Sequence, residues 1–115
     1  MKGKTSDKAR LQHILDAIIE IENYTRNITI DEFSKSSEKK FASVKQLEII
    51  GEAASKITGD TKAENSELEW PKIIALRNLL IHEYYLIDSA IVWNIIMEDL
   101  PDLKKQIISL IARVP

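Results

Sequence analysis

The sequence has no cysteine, which removes both a disulfide framework and thiol chemistry from consideration. Its 115 residues hold only three glycines and three prolines. That is sparse punctuation for a fold of turns and short strands, and no segment alternates apolar and polar residues convincingly. There is no internal repeat, linker or low-complexity stretch. There is no glycine-rich phosphate loop either, so no cofactor is expected and any use of ATP belongs to a partner. Two histidines without paired ligand spacing make a zinc site improbable. No run reaches the roughly 18 apolar residues of a membrane span. The first residues are polar and basic with no apolar core behind them, so no secretory signal is expected and a cytoplasmic protein is. Neither sign of charge dominates: the formal net charge is −2, which argues mildly against indiscriminate nucleic-acid binding.

What is present is ordinary globular composition, 44% hydrophobic and 30% charged, in a length that suits one domain, residues 1–115, with one core. Charge is locally sorted. Lys2, Lys4, Lys8 and Arg10 make the start basic, Lys35, Lys39, Lys40 and Lys45 form a second cluster, and Asp60, Glu64, Glu67 and Glu69 form an acidic stretch. Each cluster taken alone reads as a solvated helix face.

Helical periodicity runs throughout. Thr5 or Ser6 can cap a first helix whose inner stripe is Leu11, Ile14, Leu15, Ile18 and Ile21. His13 near Asp16 reads as a surface histidine beside a carboxylate. Asn27 to Ser37 reads as a loop with a short helical turn at Asp31-Glu32-Phe33, and Phe33 and Phe41 are expected to anchor it to the core. A second helix from about Ser37 to Ile57 buries Val44, Leu47, Ile50, Ala54 and Ile57. Gly51 shares that face, and a mid-helix glycine there suits the close approach of another helix. Glu48 and Glu52 lie on the opposite stripe with Lys45 and Lys56 at pairing distance, so surface ion pairs are preferred to a catalytic role for Glu52. Gly59 fits a helix end. Ser66-Glu67-Leu68-Glu69 has capping-box spacing, and Pro71 is acceptable only in the first turn of the helix that follows. That third main helix is expected to run to about His82 or Tyr84. Asp88 can cap a last helix in which Trp93, Ile96, Leu100, Leu103, Ile107, Leu110 and Val114 keep one phase through Pro101. One long helix kinked at Pro101 is the reading, with two helices meeting there as the alternative. The fold is therefore an all-α bundle of four or five helices, and its wide apolar faces suggest a dimer.

The stretch from Trp70 to Asp88 carries the candidate chemistry. Into an aliphatic run it places Arg77, Asn78, His82 and Tyr84. Burying a charge or an amide without partners is costly, so these residues need fixed partners or a task. On a continuous helix Asn78 and His82 share a face and Arg77 and Tyr84 nearly superpose, whereas Arg77 and His82 diverge by about 140°. Arg77 and His82 serve one site only if the helix ends near His82, if the arginine folds across, or if a second subunit completes the site. Histidine can move a proton near neutral pH, and arginine offers a planar fork to a phosphate. Asn78 can orient the imidazole or bond the phosphate. A purely structural alternative pairs Arg77 with a carboxylate of another helix, such as Glu52, and uses His82 and Tyr84 to close the bundle by hydrogen bonds.

Arg77-Asn78-Leu79-Leu80-Ile81-His82-Glu83-Tyr84 resembles the signature of HEPN-domain ribonucleases, in the variant with tyrosine two residues after the histidine that is similar to HepT-type toxins. Leu11-Gln12-His13-Ile14-Leu15-Asp16-Ala17-Ile18, Ile49-Ile50-Gly51-Glu52-Ala53-Ala54 and Asp99-Leu100-Pro101 resemble that family in the same order, so the likeness covers nearly the whole chain. Pro71, directly after Trp70, stands where a polar residue is more usual, which touches the start of the helix rather than the signature. The resemblance implies a HEPN-like bundle and metal-independent RNA cleavage at a site shared between two subunits, with Arg77 and His82 catalytic and Asn78 supporting. It also implies a minimal nucleotidyltransferase antitoxin as partner, which transfers adenylyl groups from ATP to Tyr84. Tyr85 is the competing acceptor and projects about 100° away. The other function class compatible with the chain is a non-catalytic helical binding or regulatory subunit of a nucleotidyltransferase.

Overall fold

The computed structural model describes residues 5–79 and 88–115. Among these residues all regular structure is helical: α1 (Asp7–Thr25), α2 (Ile30–Lys35), α3 (Ser37–Lys56), α4 (Gly59–Glu64), α5 (Trp70–Ala75), α6 (Ser89–Asn94) and α7 (Leu100–Arg113). A 3₁₀ turn, Leu76–Asn78, continues α5, and a π-helical turn, Ile95–Asp99, joins α6 to α7.

The antiparallel pair α1 and α3 forms the centre. Ser6 caps α1 by accepting the Ala9 N–H, and Ser36 caps α3 by accepting that of Lys39. Leu11, Ile14, Ile18 and Ile21 face Val44, Leu47, Ile50 and Ala54, all fully buried. Each large aliphatic chain removed from water in this way contributes about 1.5–3 kcal/mol. Leu15 is only half-buried, at the edge of the stripe. α7 closes the third side with Leu100, Leu103, Ile107 and Leu110, and Lys104 Nζ reaches the Glu22 carboxylate of α1 at 2.9 Å.

Phe33 anchors the first loop as expected, fully buried with its ring centroid 5.2 Å from that of Trp93. Phe41 does not: it lies on the outer face of α3, 39% exposed, beneath the Lys40 ammonium. It lies about 60° beyond Val44 and about 120° from Leu47 around the helix, outside the stripe of α3 that is buried. The capping box forms at Thr29 and Glu32, at the start of α2, rather than at Ser66 to Glu69. α5 instead opens from Glu69 without a side-chain cap and is fixed by Trp70, whose indole N–H donates to the Asn65 carbonyl at 3.1 Å. Gly59 begins α4 rather than ending α3. The Thr58 hydroxyl accepts the Thr61 N–H, and Asp7 of α1 accepts the Thr58 N–H at 3.0 Å.

The last helix is continuous and kinked. Pro101 has no N–H for the carbonyl of residue 97, and the π turn immediately before it absorbs the mismatch, with the Leu100 N–H reaching back five residues to Ile95. The apolar phase survives: Val92 before the turn, Ile96 within it and Leu100 after it are all buried. Among the described residues no helix is long and apolar enough to cross a membrane.

Candidate active site

The close approach expected at Gly51 is real, and it positions Arg77. A Cβ added to Gly51 would lie 2.3 Å from the Arg77 backbone nitrogen, 2.8 Å from the Ile74 carbonyl oxygen and 2.9 Å from the Arg77 Cβ. The chain therefore crosses α3 in backbone contact, and only glycine leaves the room. Here α5 tightens into its 3₁₀ turn, which interrupts the α-helix expected from the sequence, and the expected end near His82 or Tyr84 lies outside the described residues. A 3₁₀ turn is narrower than an α-turn, which suits a crossing at contact distance.

That crossing puts the Arg77 side chain beside Glu52, the residue after Gly51. Arg77 Nη1 is 3.6 Å from Glu52 Oε2, while the other oxygen, Oε1, is 3.6 Å from Lys56 Nζ. Both pairings that the sequence offers Glu52 occur together. The site is open to solvent: Arg77 is 42% exposed, and Asn78 is exposed next to it. A guanidinium has five donors, so contact of one nitrogen with Glu52 leaves others for a phosphate. His82 and Tyr84, with Tyr85, lie outside the described residues.

A feature that the sequence reading missed lies between α5 and the start of α7. A groove of about 230 Å³ has Ile73, Leu76 and Leu103 among its apolar walls and Glu67, Glu69, Glu98, Asp99 and Asp102 among its acidic ones. Lys72 spans it, 3.8 Å from both Glu69 and Asp99. The acidic stretch was visible in sequence, but its union with Glu98, Asp99 and Asp102 depends on the tertiary crossing. The negative charge there disfavours a polyanion, whereas the Arg77 face carries two cations around one carboxylate. His13 is exposed on α1, and its neighbour Asp16 accepts the Gln12 amide at 2.9 Å. Among the described residues no group of three or more His, Cys, Asp or Glu side chains is arranged to hold a metal ion.

Comparison with known proteins gives the class first: its relatives carry ribonuclease names. A Thermococcus cleftensis protein named "Probable ribonuclease HepT" is 39% identical over 101 residues, 88% of this chain and 92% of the relative. A Methanocaldococcus jannaschii protein provisionally named an RNase is 36% identical over 105 residues, 91% and 96% of the two chains. Another so named, from Caldanaerobacter subterraneus, is 33% identical over 97 residues, 84% and 87%. The family model described as "Ribonuclease HepT-like" matches residues 14–110, and the chain belongs to that family. No solved structure gives a significant match. Membership makes RNA the substrate class and agrees with the all-α bundle.

Proposed function

We propose that the protein is the toxin of a toxin–antitoxin pair, an endoribonuclease that cuts RNA without a metal at a site where Arg77 and His82 act together across two subunits. The observation that carries this reading is the fixing of Arg77 on α3 through Gly51 with its guanidinium open to solvent. A ribose 2′-oxygen attacks the adjacent phosphorus, and His82 takes the hydroxyl proton. The bond to the 5′-oxygen breaks and that oxygen receives a proton, with the second subunit's copy of His82 as the matching acid. The products are a 2′,3′-cyclic phosphate and a free 5′-hydroxyl. Arg77 binds the non-bridging oxygens as charge develops, and Asn78 supports the imidazole or the phosphate. The RNA supplies the nucleophile, so the protein needs none. Apolar residues left exposed on the last helix, such as Met97 and Ile108, support a homodimer.

The partner in this reading is a minimal nucleotidyltransferase antitoxin that adenylylates Tyr84. The phenol oxygen attacks the α-phosphorus of ATP, pyrophosphate leaves, and the phenolic proton passes to solvent. The added nucleotide brings bulk and a negative phosphate that Arg77 binds in place of RNA. A cytoplasmic location follows, because RNA and ATP are both there. The second reading, a non-catalytic subunit of the nucleotidyltransferase, draws support from the Arg77–Glu52 ion pair, which gives Arg77 a structural partner. Inducible expression separates the two: the toxin reading expects growth arrest with RNA fragmentation, relieved by the partner gene. Unimpeded growth with intact RNA, at verified soluble expression, would support the binding-subunit reading.

A further inference from the structure

We propose that Lys56 is a second phosphate-binding residue of the Arg77 site, and that Glu52 is the positioning residue that holds the two cations side by side; this rests on the RNA-binding reading of the site. The geometry is a bridge. One oxygen of Glu52 faces Arg77 and the other faces Lys56, each at 3.6 Å. Two cations and one carboxylate leave the cluster with a net positive charge. All three side chains are substantially exposed, Lys56 by 54% and Glu52 by 56%. Exposed ion pairs contribute little to stability, so the array gains little as a staple. It gains more as a receptor. A lysine ammonium has three donors and an arginine five, and one carboxylate leaves most of both unsatisfied by protein. The cations are held only a carboxylate's width and two ion-pair gaps apart, which suits contact with one phosphate or with two successive phosphates of a single strand.

The placement has a backbone cause. Arg77 is fixed through the Gly51 crossing, and Glu52 and Lys56 are one helical turn apart at the end of α3. Glu52 thus limits where the long arginine points. Lys56 offsets the electrostatic cost that a carboxylate beside Arg77 imposes on an incoming phosphate.

The test uses a fluorescent single-stranded RNA oligonucleotide, with binding followed by anisotropy and cleavage by gel, across a salt series. Lys56→Ala is expected to weaken binding and raise KM about three- to tenfold with kcat within twofold of the parent. It should also make the slope of log affinity against log salt shallower by about 0.7. Lys56→Arg should restore both. Glu52→Gln removes the clamp and one negative charge, so KM should not rise while kcat falls about tenfold. A Lys56→Ala protein with the parent's affinity and salt slope overturns the assignment, as does a Glu52→Gln protein with the parent's kcat. If the parent binds the RNA without cutting it, the ribonuclease reading fails, and the anisotropy series still decides the role of Lys56. A parent that binds no RNA overturns both.

Discussion

Gly51→Ala is the most informative single perturbation of this fold. The added methyl group would meet the Arg77 nitrogen at 2.3 Å, the Ile74 carbonyl oxygen at 2.8 Å and the Arg77 Cβ at 2.9 Å. None of these atoms is the end of a flexible side chain. Ordinary contact begins near 3.4 Å, so α5 and its 3₁₀ turn must retreat from α3 by about 1 Å. Overpacking of this kind costs about 1–3 kcal/mol, offset by up to about 1 kcal/mol because alanine favours helix over glycine. The expected result is a net loss of about 1–2 kcal/mol in chemical denaturation, with the protein still folded at low temperature. Activity should suffer more than stability. The displaced segment carries Arg77, and a misplacement of about 1 Å can cost about 10²-fold in rate. Gly59→Ala is the matched control, because nothing lies within 4 Å of an added Cβ there. It should be neutral or stabilise by about 0.4–1 kcal/mol. A Gly51→Ala protein with parental stability and parental cleavage would refute the claim that this crossing positions Arg77.

Arg77→Ala and His82→Ala should each lower RNA cleavage by about 10²–10⁴-fold while circular dichroism remains that of the parent; unfolding instead would support a structural role for the pair. Phe33→Ala should destabilise by about 3–5 kcal/mol in a denaturant titration, since the ring is fully buried against Trp93. Tyr84→Phe should give a toxin that the nucleotidyltransferase cannot adenylylate, seen as loss of the mass increments after incubation with the partner and ATP. Unchanged increments would move the acceptor to another residue such as Tyr85.

Much of the fold is legible in the sequence because single residues report local physics. Ser6 and Asp88 cap the helices they precede. Pro71 sits in a first turn, and the stripe from Ile96 to Leu110 keeps its phase across Pro101. Misreadings arise where tertiary competition decides. Phe33 and Phe41 are equally apolar, but Phe33 packs against Trp93 of the last helix while Phe41 falls outside the buried stripe of α3. Ser66 to Glu69 has capping-box spacing, yet α5 is fixed by the Trp70 indole. Gly59 resembles a terminator until Thr58 and Asp7 are seen to build a helix start around it. At the candidate site, Gly51 foretells a close crossing but not which residue it fixes. Glu52 has a local partner, Lys56, and a distant one, Arg77, and spacing alone does not show that it takes both. The acidic groove joins Glu67 and Glu69, part of a visible acidic stretch, to Glu98, Asp99 and Asp102 some thirty positions on, and neither segment alone shows that union.

The central claim, metal-free RNA cleavage at the Arg77–His82 site, is tested most directly by incubating the purified protein with RNA in excess EDTA and analysing the new ends. The account predicts fragments ending in 2′,3′-cyclic phosphate, at a rate unaffected by the chelator and lost in Arg77→Ala. RNA left intact by the parent protein, or cut equally well by Arg77→Ala, would contradict it.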